Sequence, residues 1–104
     1  MSKDLHRIYL MDLKNRIYKI LPLCEEKNPN VMKHIESTLL EVRGLFAIIP
    51  SAKTSVWNIR VTSVLTSLSQ NNSIEYLHSE KGVLTVKREV FGLLRLIDRE
   101  IDKL

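Results

Sequence analysis

One cysteine in 104 residues leaves no partner for an internal disulfide, so Cys24 reads as a small apolar residue in a reduced, intracellular protein. No run approaches the ~18 apolar residues of a membrane span. The N-terminal Met-Ser-Lys-Asp-Leu-His-Arg turns charged before the apolar core of a signal peptide could form, which points to a cytoplasmic protein. Three prolines and three glycines are too few for a linker, a low-complexity tract or a glycine-rich phosphate loop. Aromatic residues are scarce at 6%. Acidic residues are missing altogether from the stretch between Val42 and Ile74, where Arg43, Lys53 and Arg60 stand without a carboxylate neighbour in sequence.

What is present suffices for a core. Hydrophobic residues make up 44% and charged residues 27% of the chain, outside the disordered regime, and the length suits a single domain over 1–104. The net charge of +4 is compatible with nucleic acid, with an acidic protein or with neither.

Apolar periodicity then divides the chain. Leu5, Ile8, Tyr9, Leu13, Ile17, Ile20 and Leu21 recur at helical spacing after a Ser2 cap. Pro22 is expected to end this helix, with Lys14, Arg16 and Lys19 near its C-terminal dipole. Asn28 before Pro29 predicts a second helix, carried by Met32, Ile35, Leu39, Val42, Phe46 and Ile49 to Pro50 and weakened at Gly44. A third helix, capped by Thr54 or Ser55, places Trp57, Val61, Val64, Leu65 and Leu68 on one face and Thr62, Ser63, Thr66 and Ser67 on the other. Trp57 therefore reads as a core anchor rather than a base-stacking platform. Ser69-Gln70-Asn71-Asn72-Ser73 should end that helix, because such side chains compete for backbone hydrogen bonds.

Beyond it the period reads as two. Ile74 to His78, a turn through Ser79-Glu80-Lys81-Gly82, and Val83 to Val86 predict a β-hairpin. Helical spacing resumes at Lys87, where Val90, Leu94, Ile97, Ile101 and Leu104 form an apolar seam of about two heptads, suited to pairing with a second copy. The expected fold is mainly α with a β-hairpin.

The order helix, turn, helix, hairpin, terminal helix resembles the winged helix-turn-helix superfamily. The resemblance is carried by Val61, Leu65 and Leu68, the polar run from Ser69 to Ser73 with Ile74-Glu75-Tyr76, and the Lys81-Gly82 tip, over roughly Pro50 to Val86. It implies long N-terminal helices, a recognition helix in the major groove, a wing against the DNA backbone and a C-terminal dimerisation helix. The segment Ile48 to Ser55 gives the short helix that normally precedes recognition little room.

On that reading Lys53, Thr54, Ser55, Asn58, Arg60, Thr62, Ser63 and Thr66 face double-stranded DNA, and Lys81, Lys87 and Arg88 bring the wing to phosphates. Arg60 fits a structural snorkelling role as well. Val90, Leu94, Ile97, Ile101 and Leu104 would hold a homodimer with recognition helices about 34 Å apart. A small transcriptional repressor or a plasmid or phage partition adaptor would have this form.

Catalysis and metal binding find no signature. His6, His34 and His78 are scattered and read as surface residues, Cys24 has no companion, and no cofactor is implied. Two rivals remain. One is a degenerate winged helix that binds a protein partner instead of DNA. The other is an all-helical interaction module, such as an immunity-like bundle, a secretion chaperone or an inhibitor, for which the segment from Ile74 to Val86 should be helix.

Overall fold

The structure is a computed structural model that describes residues 3–49 and 55–104, the side chain of Phe46 excepted. Five helices account for the described chain: α1 (Lys3–Glu25), α2 (Val31–Ile48), α3 (Val56–Gln70), α4 (Ile74–His78) and α5 (Glu80–Asp102). Among the described residues there is no strand.

The apolar stripes explain the packing. Leu10, Leu13, Ile17, Ile20 and Cys24 of α1 meet Val31, Ile35 and Val42 of α2, Val61 and Leu65 of α3 and Val86, Val90 and Ile97 of α5 in one buried cluster. Each such side chain contributes about 1.5–3 kcal/mol by leaving water. The four long helices form a ring in which α1 packs on α2 and α5, and α3 packs on α2 and α5. An elongated body of 41 × 21 × 19 Å results, as an antiparallel four-helix bundle requires. Ion pairs mark two of the seams, Lys14–Asp98 at 2.7 Å between α1 and α5 and Arg16–Glu41 at 3.4 Å between α1 and α2.

Several boundaries differ from the sequence expectation. Pro22 lies inside α1, which continues to Glu25 because Leu21 and Cys24 still face the core. Lys14, Arg16 and Lys19 are therefore mid-helix. The helix stops where Lys27 takes a left-handed backbone, φ 55°. There the Asn28 amide donates to the Leu23 carbonyl at 2.9 Å and the Lys27 amide to Cys24 at 3.1 Å, the pairing of a Schellman turn. Asn28 does not cap α2; its side chain accepts from the Asn30 amide, and the helix begins at Val31. The helix runs through Gly44 without a break. Ser55 occupies the α3 N-cap position, whereas the expected caps Ser2 and Thr54 lie outside the described residues.

The predicted hairpin is the largest correction, and with it falls the winged helix-turn-helix architecture. Residues 74–86 are helical: α4, one linking residue, then the first turns of α5. Two serines explain this. Ser73 accepts from the Tyr76 amide at 3.1 Å and Ser79 from the Gly82 amide at 3.0 Å, so each begins a helix. The apparent period of two was only a few residues long. Val83, Val86, Val90, Leu93 and Ile97 instead continue one helical stripe, of which the seam read from Val90 onward is the later part.

Gly82 is not a turn residue either. It lets the α4 backbone lie directly on α5, since a Cβ there would overlap the Tyr76 carbonyl oxygen. Leu77 is thereby fully buried.

Candidate functional site

The seam expected to pair two copies is absorbed by the bundle. Val90, Leu94 and Ile97 are buried in the chain's own core, and Ile101 and Leu104 pack against it. What α5 offers outward is its opposite side, and two features meet there.

The first is apolar. Leu84 and Phe91 stand at heptad spacing with Asp98, the residue that bonds α1, so they follow the α1–α5 seam. Met11 and Tyr18 flank Lys14 at spacings of three and four and follow the same seam from α1. Their exposures are 62% for Leu84, 40% for Phe91, 41% for Met11 and 51% for Tyr18. At the Leu84 end the seam opens into a cavity of about 500 Å³ also lined by Lys27, His78 and Val83.

The second is a basic groove between α3 and α5. Arg60, Arg95 and Arg99 line a cavity of about 290 Å³ over Gly92 and Leu96. Arg60 and Glu89 also border a neighbouring cavity of about 400 Å³, which extends past Ser63, Ser67, Asn71 and Thr85. None of the three arginine side chains has a hydrogen bond or ion pair among the described residues. Gly92 lies on the groove floor, and a Cβ added there would meet nothing within 4 Å.

The described residues among those expected to read DNA are divided between α3 and α5, some exposed and some buried. Lys53 and Thr54 lie outside the described residues. Ser55 is half-buried at the helix start, and Asn58 is only 2% exposed. Thr62 and Thr66 are half-buried; the Asn58 Oδ1 and Thr62 Oγ1 atoms are buried without a hydrogen-bond partner among the described residues. Arg60 and Ser63 are exposed, on the α3–α5 groove. Lys81, Lys87 and Arg88 are exposed on α5, not on a wing. Arg95, Arg99, Leu84 and Phe91 were not singled out from the sequence, although Arg88, Arg95 and Arg99 repeat at seven and four opposite the apolar stripe.

Two histidines work as ties between elements rather than as free surface groups. The His34 Nε2–H donates to the Arg16 carbonyl at 2.7 Å, and the His78 Nε2–H donates to the Asn28 carbonyl at 3.0 Å. His6 is half-buried. Burial, and secondarily the Glu25 charge, pushes the Cys24 thiol from its ordinary 9.0 up to about 11. A thiol so protonated and enclosed is a poor nucleophile. Among the described residues no three His, Cys, Asp or Glu side chains gather as metal ligands would, and no helix is long and apolar enough to cross a membrane.

No family model, no curated protein and no solved structure matches this chain. The winged-helix resemblance gains no support from these comparisons, and a functional reading rests on the chain's own surfaces.

Proposed function

We propose that this chain is an all-helical protein-interaction module, a four-helix bundle that works by binding a partner protein. The observation that carries the reading is that four large apolar side chains stay uncovered along the α1–α5 seam, Met11 and Tyr18 on α1 and Leu84 and Phe91 on α5. Single exposed apolar residues are ordinary, but several large ones along one seam mark a surface that another molecule covers. Aromatic and methionine side chains are also the types enriched where proteins meet. The features that favoured DNA point away from it here: the wing segment is helix, and Asn58, its amide reader, is buried in the core.

A photo-crosslinking phenylalanine analogue at position 91, with Glu36 on the exposed side of α2 as control position, tests this in the native cell. The expected result is one discrete product with a different protein from position 91 and none from position 36. A product of twice the chain's own mass, or no product from position 91, would overturn the proposal.

A further inference from the structure

We infer that the α3–α5 groove binds an extended acidic segment of the partner protein, with carboxylates seated among Arg60, Arg95 and Arg99. The inference rests on the protein-binding reading and adds a second surface with its own chemistry. Three arginines border one small cavity, and none makes an ion pair among the described residues; the carboxylate that shares the cavity, Glu89, is paired with Arg88 at 3.7 Å. Arg16 and Arg88 have carboxylate partners and Arg7 and Arg43 have none among the described residues, so what sets Arg60, Arg95 and Arg99 apart is that they share one cavity. Like charges held together are a source of repulsion that an anionic ligand relieves, and the guanidinium fork matches a carboxylate in shape.

Gly92 strengthens the case. Glycine inside a helix costs about as much stability as any residue but proline, and nothing packs against this one that a methyl group would disturb. The space above it, between the arginines, is therefore open enough to take a ligand side chain.

The rest of the groove suits a peptide backbone. From Arg60 to Asn71 it follows α3 for about 16 Å, the span of five extended residues. Its walls there carry the hydroxyls of Ser63 and Thr85 and the amide of Asn71. Glu89 lies where the two cavities meet. A carboxylate at that point accepts a peptide N–H, a donor that a phosphate backbone lacks. No aromatic side chain lines either cavity, so single-stranded nucleic acid finds no stacking platform.

The test is a titration, followed by amide chemical shifts, of the full chain with an acetylated, amidated hexapeptide of alternating aspartate and glutamate, beside single-stranded DNA of equal charge. The peptide should shift the amides of residues 60–71 and 89–99 and release as salt is raised. Replacing Arg95 and Arg99 together by alanine should weaken it about tenfold. Gly92→Glu, which fills the groove with a carboxylate while keeping the fold, should weaken it at least as much, and Gly92→Ala should leave it within about twofold.

Peptide shifts elsewhere, affinity unchanged in Gly92→Glu, or DNA bound more tightly than peptide through the same arginines would each overturn the inference. Loss of the position 91 cross-link with peptide binding intact would remove the apolar seam from the function and leave the groove standing. The opposite pattern would remove the groove alone.

Discussion

Replacing Gly82 by alanine adds one methyl group where the α4 backbone already rests on α5. The new Cβ would overlap the Tyr76 carbonyl oxygen and lie 2.6 Å from its carbonyl carbon and 3.0 Å from Leu77 Cα. Non-bonded heavy atoms rest ~3.5 Å apart, and backbone cannot swing aside as a flexible side chain does, so α4 has to move as a unit.

That movement disturbs three things: the complete burial of Leu77, the Ser79 hydroxyl that accepts from the Gly82 amide at 3.0 Å, and the His78 bond to the Asn28 carbonyl. Partial exposure of Leu77 costs about 1–2 kcal/mol and a weakened cap about 1 kcal/mol. Removing a helical glycine returns less than about 1 kcal/mol. The net loss is about 2 kcal/mol, or about 8–16 °C in Tm for a domain of this size.

Urea unfolding read by far-ultraviolet circular dichroism and by the fluorescence of the single tryptophan, Trp57, measures it. The same change at Gly44 and Gly92, where a Cβ meets nothing within 4 Å, should instead raise stability by up to about 1 kcal/mol. A Gly82→Ala protein as stable as the parent, or three glycines that respond alike, would refute the packing argument.

Lys27→Gly should stabilise the chain by about 0.5–1 kcal/mol, since glycine holds the left-handed φ of 55° without strain; urea midpoints check the sign. Thr62→Val keeps the shape and removes a buried hydroxyl oxygen that has no partner, so a gain of about 1 kcal/mol is expected, and a loss would show that the hydroxyl is bonded in solution. Because the folded state raises the Cys24 thiol to about 11, its contribution is whole below pH 9 and is lost as pH rises from 9 towards 11. Stability of the parent relative to Cys24→Ala should therefore fall by up to about 3 kcal/mol over that range, measured by urea unfolding at stepped pH. A flat difference would contradict the burial.

Local chemistry in the chain was legible where it was repeated over many residues. The stripe of α3 named its buried face correctly, Trp57, Val61, Val64, Leu65 and Leu68, because ten or more residues of one period leave a single solution, whereas the α1 stripe began with Leu5 and Ile8, which are exposed, and passed over the buried Leu10. The segment from Ile74 to Val86 failed for the opposite reason. Four or five alternating residues fit a strand or one helical turn equally, and a serine followed by a glycine three positions on serves a hairpin tip or a helix cap. The Ser73 and Ser79 caps were the signal that could have decided it. The DNA site depended on that segment and on a polar helix face, and the buried Asn58 shows that an uncharged polar residue beside an apolar stripe does not announce which way it faces.

From the sequence alone came the presence of three long helices and a helical C-terminus, the identity of most core residues, the acid-free stretch around α3 and the absence of a second cysteine. Those follow from composition and period, which are properties of neighbouring residues. Tertiary structure decided which apolar rows the molecule keeps for itself and which it leaves uncovered. The seam from Val90 to Leu104 closes on the chain's own core, so Leu84, Phe91, Arg95 and Arg99 face outward on a side of α5 that periodicity cannot assign to any partner, with Arg60 of α3 across the groove. Only the packing of four helices into one ring sets those distant residues side by side.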